Sequence, residues 1–60
     1  MTVRYLSKML NPALTVIITK GTSALQTFRA GDADSNYYGQ FEIEKFIMSE
    51  FAPRCIIEIK

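Results

Sequence analysis

Bulky apolar residues recur along this chain with two different periods. Over residues 40–51, Ile43, Phe46, Ile47 and Phe51 follow one another at spacings of three, one and four, which lines one side of a helix. Glu42 and Glu44 then fall in the first turns, where the helix dipole favours negative charge. Pro53 bars continuation. Residues 54–60 switch to strict alternation, with Cys55, Ile57 and Ile59 on one face and Arg54, Ile56 and Glu58 on the other, as in a strand. This helix and closing strand carry much of the bulky apolar surface and are the expected centre of the fold.

Residues 13–20 form the clearest strand pattern. Leu14, Val16 and Ile18 share one face and Thr15, Ile17 and Thr19 the other, and β-branched side chains dominate. Ile17 on the second face implies that this face is partly covered. Gly21, Thr22 and Ser23 read as a turn, and residues 24–29 return as the second arm of a hairpin. A short helix capped by Ser23 competes for the same residues. At the start, Val3, Leu6, Met9 and Leu10 suit a short helix with Thr2 as N-cap, stopped by Asn11-Pro12. An extended segment in which Val3 and Tyr5 alternate with Arg4 is the other reading. Residues 30–36 are rich in turn formers and read as a loop, with Asp34, Ser35 or Asn36 available as a cap. Tyr37 and Tyr38 belong either to that loop or to a first helical turn.

The element order is therefore α-β-β-α-β. The expected architecture is a single small α+β domain over residues 1–60: a three-stranded sheet, one main helix packed on one face and a short N-terminal helix. The closing strand is free to run parallel or antiparallel, and its charges at Arg54, Glu58 and Lys60 would suit a sheet edge.

Composition narrows the means of stabilisation. A chain of 60 residues buries only about 60% of the surface it exposes when unfolded. With one cysteine and no histidine, neither an internal disulfide nor a His/Cys zinc site is open to it. The apolar fraction of 48% is generous for so small a body, so an exposed apolar patch is expected, serving a homodimer or a docking surface. A monomer with surplus apolar surface is the alternative. The net charge of +1 conceals an asymmetry: residues 1–29 carry +4 and residues 30–60 carry −3. No membrane is expected. Apolar runs such as residues 16–18 fall far short of the ~20 residues that a spanning helix needs. Asn11, Pro12, Thr15 and Thr19 interrupt any leader-like apolar region. The lone cysteine suits the reducing cytoplasm.

Catalytic signals are sparse. Asp32-x-Asp34-x-Asn36 opens like a calcium loop. The glycine due at the sixth position is Tyr37, however, and the glutamate due at the twelfth is Ile43. Cys55 has no histidine to activate it and sits in an apolar strand, where burial would raise its pKa. Glu42 and Glu44, two apart on a helix, would point to different sides. No glycine-rich phosphate loop is present. The expectation is a protein that is not an enzyme and holds no metal or cofactor.

A binding role is the remaining class. Tyr37, Tyr38 and Phe41 cluster beside an acidic loop. Phe41 and Met48, seven apart, would share a helix side distinct from that of Ile43, Phe46 and Ile47. The expected partner-binding surface is therefore Asp32, Asp34, Tyr37, Tyr38, Phe41, Glu44 and Met48, with Glu50 adding to its charge. Packing of that second stripe on the N-terminal helix explains the same pattern without a partner. Small non-catalytic inhibitors encoded by phages and mobile elements, which block a host complex by covering a surface, are the functional class such a protein suits. The alternatives are a nucleic-acid-binding regulatory protein using Arg4, Lys8, Lys20 and Arg29, and a structural subunit of a larger assembly.

Overall fold

Thr2 opens the first helix as an N-cap: its backbone is extended and its Oγ1 accepts the Tyr5 N–H at 3.2 Å, satisfying one of the donors that a helix start leaves free. Helix α1 (Val3–Lys8) is short and survives by packing, with Val3, Leu6 and Ser7 buried. The computed structural model describes residues 1–49 and 53–60.

The β-branched run forms β1 (Thr15–Lys20), and the chain turns at Gly21 and Thr22 into β2 (Ser23–Arg29). Gly21 has a φ of 61°, while among the described residues no non-glycine residue has a positive φ. Glycine at the first central position of a two-residue hairpin turn is what the type II′ geometry demands. Two 3-10 helices follow, η1 (Ala30–Ser35) and η2 (Tyr37–Gln40), then strands β3 (Ile43–Met48) and β4 (Arg54–Ile59). The four strands make one mixed sheet in the order β2-β1-β4-β3. The pairs β1/β2 and β3/β4 are antiparallel, and the central pair β1/β4 is parallel.

One face of this sheet carries the core. Val16 and Ile18 of β1 and Cys55, Ile57 and Ile59 of β4 are buried with Val3 and Leu6 of α1 and Ala30 of η1. Leu10, Leu14, Phe28, Tyr38, Phe41 and Ile43 pack around them. At about 1.5–3 kcal/mol for each large aliphatic side chain fully removed from water, this cluster is the main source of stability.

The expected three-stranded sheet under a main helix is corrected to a four-stranded mixed sheet under a layer of short helices. The decisive stretch is residues 40–51. Residues 43–48 of it are strand β3, and Glu50 and Phe51 lie outside the described residues. A bulge between Ile43 and Lys45 explains the misleading period. In a regular strand, residues three apart point to opposite faces. The extra residue, Glu44, resets the phase, so Ile43 and Phe46 both stand opposite core-face residues, Ile59 and Ile57. Ile47, expected beside them, falls on the other face. β4 is likewise no sheet edge, because β1 and β3 flank it on both sides.

This register makes an opposed prediction for neighbours. Ile57→Ala removes a fully buried side chain and should cost about 2–5 kcal/mol, comparable with the whole stability of a domain this small, about 3–5 kcal/mol. Ile56→Ala, on the opposite face, should cost below about 1 kcal/mol. Denaturant midpoints of the two variants check this, and equal losses would contradict the facing assigned here.

Candidate docking surface

Paired residues in a sheet share a face, so the register defines the side away from the core. Its middle row runs Thr27 (β2), Ile17 (β1), Ile56 (β4) and Ile47 (β3). On one flank lies the row Arg29, Thr15 and Arg54, and on the other Thr19, Glu58 and Lys45. The helical elements α1 and η1 contribute their buried residues to the core on the opposite face. Among the described residues no helical layer covers the Ile17 row. Ile17 and Ile56 are half-buried and Ile47 is 59% exposed. Among the described residues, neighbouring strands are what flanks Ile17 on this face.

The second feature is the edge. β3 pairs along one side with β4 and, among the described residues, has no strand on the other. Its first residues are partly guarded: Thr2 bridges Glu42, Val3 N–H donates to the Phe41 carbonyl at 3.0 Å, and Ile43 N–H donates to the Met1 carbonyl at 2.9 Å. Beyond that guard, Phe46, Ile47 and Met48 are 47%, 59% and 47% exposed. Phe46 and Met48 point to the helical side, opposite Ile57 and Cys55, and Ile47 points to the open side. Three consecutive large apolar side chains therefore straddle the sheet edge.

The sequence-predicted residues are only partly brought together. Tyr37, Tyr38 and Phe41 form one aromatic cluster, with ring centroids 5.0 to 5.7 Å apart. Asn36 Oδ1 holds it by accepting the Tyr38 N–H at 2.8 Å. Tyr38 and Phe41 pack against the core, whereas Tyr37 is 69% exposed. Met48 does not join them, because Phe41 caps η2 before β3 begins and Met48 ends that strand, so the two do not share a helix side. Asp34 is occupied by cations, at 2.9 Å from Lys8 Nζ and 3.8 Å from Arg4 Nε. Asp32 accepts Ser35 Oγ–H through its backbone carbonyl. Glu44 sits at the β3 bulge. Glu42, expected as a dipole partner, instead pairs with the Met1 amino group at 3.0 Å.

The basic set divides between the two sides. Arg4 and Lys8 lie on α1 against Asp34, while Arg29 stands on the open sheet face. Gly39 makes room for the Arg4 side chain: a Cβ there would come within 3.2 Å of Arg4 Nε and 3.0 Å of the Ala33 carbonyl oxygen. Lys20 ends β1 at the hairpin. These four cations do not make one surface.

In the calcium-like run, Asn36 is spent capping Tyr38 and donating to Gln26 Oε1 at 3.0 Å. Among the described residues no cluster of three or more metal-ligating side chains forms. A cleft of about 180 Å³ lies between α1 and η1, lined by Ser7, Lys8, Leu10, Ala30 and Asp34 among others. Among the described residues Ser7 Oγ, buried there, has no hydrogen-bond partner. No helix among the described residues is long and apolar enough to cross a membrane.

Phe46 and Ile47 escaped notice as surface residues because the helical period assigned them to the core. Arg54 and Lys45 gain meaning only from the register that places them beside the isoleucine row. The alternation of residues 54–60 did identify Ile56 as facing away from Cys55.

Cys55 is fully buried, and desolvation pushes its thiol pKa above the ordinary value. The unfolded thiol therefore ionises first, so its contribution is intact below the unfolded-state pKa and is lost as pH rises through the folded-state pKa. Stability should decline on the alkaline side of the ordinary thiol range. Cys55→Ala should flatten that part of the profile, as thermal melts of both proteins across alkaline pH would show.

No protein-family model matches the chain, and no curated protein or solved structure is significantly similar to it, so its functional reading comes from the geometry itself.

Proposed function

We propose that the protein is a non-catalytic protein-binding domain. The observation that carries this reading is the exposed run Phe46, Ile47 and Met48 on the edge strand β3. An edge strand presents unpaired N–H and C=O groups, and natural sheets blunt such edges with charge, bulges or covering segments. Here the bulge, Glu44, Lys45 and the Met1–Val3 segment guard only the start of the strand. A partner strand or loop laid along β3 would take up the backbone groups while Phe46 and Met48 on one side and Ile47 on the other supplied apolar contact.

The finer version of this reading is a cytoplasmic inhibitor of the small, mobile-element-encoded kind, acting by covering a surface of a larger complex. What supports it is the small size of the chain and the exposed aromatic and acidic residues near η1 and η2, Tyr37 and Asp32 among them.

Affinity capture from the cells that make the protein tests the reading, with wild type, Phe46→Ser and Ile47→Lys as baits. Wild type should retain a defined partner, and both variants should lose it at least ~10-fold, the scale of one central apolar anchor at an interface. Asp32→Lys and Glu44→Lys report whether acidic charge adds to the contact. Undiminished capture by both β3 variants, with unchanged circular dichroism, would remove the edge strand from the interface.

A further inference from the structure

We propose that the open face of the sheet is a seat for an acidic amphipathic helix of a partner protein. The inference rests on the protein-binding reading and names the chemistry that this second surface would accept. Its apolar centre is the row Ile17, Ile56 and Ile47, which crosses β1, β4 and β3 side by side. Strand spacing of about 4.8 Å makes that row about 10 Å wide, the width of one α-helix. The two central strands are parallel, and parallel strands are ordinarily covered on both faces, usually by helices. Here one face of that pair has its helical layer and, among the described residues, the other does not.

The border of the row sets the sign of the occupant. Arg29 and Arg54 flank Thr15 on one side, and Lys45 stands opposite Glu58 on the other. Counting the bulge residue Glu44, which shares this face with Lys45 opposite Glu58, three cations and two carboxylates leave the described part of the face at +1, with both arginines on one border, and among the described residues none of the three cations makes an ion pair. A second copy would bring the same excess charge to a face-to-face contact and be repelled. Nucleic acid has the right charge. Single strands, however, are gripped by aromatic side chains on which bases stack, and this face offers isoleucine and threonine. An apolar stripe edged with glutamate or aspartate answers both the row and its border.

The test uses a peptide of about 18 residues, five helical turns, with a leucine stripe edged by glutamates, and a twin with lysine in place of each glutamate. Binding to the full chain is followed by amide chemical shifts. The acidic peptide should shift residues 15–19 and 54–58, bind at least ~10-fold more tightly than its twin, and weaken as salt is raised. Combining Arg29→Glu with Arg54→Glu should abolish that preference, whereas Phe46→Ser should leave it intact. Equal binding by the lysine twin would overturn the proposal, as would tighter binding of a single-stranded oligonucleotide to the same amides. Shifts confined to β3 and lost in Phe46→Ser would also overturn it while leaving the edge-strand reading standing. A dimer in sedimentation that Ile47→Lys dissolves and Phe46→Ser does not would assign the face to a second copy instead.

Discussion

The structure depends on one-sided burial of the β1/β4 pair. Val16 and Ile18 stand beside Cys55 and Ile57 across a parallel ladder, and all four are fully buried under α1 and η1. The two strands are separated by most of the chain, so nothing local can join them. Everything between has to return the chain to the same side: β2 folds back by a hairpin, the 3-10 helices cross the core face, and β3 lies outside β4. With no disulfide available, that shared apolar layer is what offsets the entropy of closing so long a loop.

Among the described residues the helical elements close one face of the sheet. The short helical elements α1, η1 and η2 cover the Val16–Ile57 side, and among the described residues the isoleucine row on the other side is left to its strand neighbours. The exposed apolar surface is thus a consequence of the fold and not a scatter of single side chains. It is continuous, because Ile47 belongs both to the isoleucine row and to the β3 edge. The aromatic cluster of Tyr37, Tyr38 and Phe41 is a different case: two of its three rings work as packing, closing the end of the core near η2.

The local punctuation of the chain was legible in its residues. The Thr2 cap, the stop at Asn11-Pro12, the Gly21 turn and the two faces of residues 54–60 all follow from chemistry within a few positions of each residue. The candidate site was less legible. Tyr37, Tyr38 and Phe41 are near in sequence and do come together, but Met48 was tied to them by a helical period that the chain does not adopt. The spacing of Ile43 and Phe46 is produced equally well by one turn of helix and by a bulged strand. A one-dimensional pattern contains no sign of the bulge.

Sequence alone therefore determined the Thr2 cap, the stop at Asn11-Pro12 and the turn at Gly21, that Cys55, Ile57 and Ile59 share a face, and that neither a histidine nor a second cysteine is there to use. Tertiary structure decided that residues 43–48 are extended, that the closing strand is central, and which charged residues border the open face. The reason is that a strand, unlike a helix, forms its backbone hydrogen bonds with another segment. β3 exists only because β4 offers it a ladder, and its register against Ile57 and Ile59, not its own spacing, fixes where each side chain points.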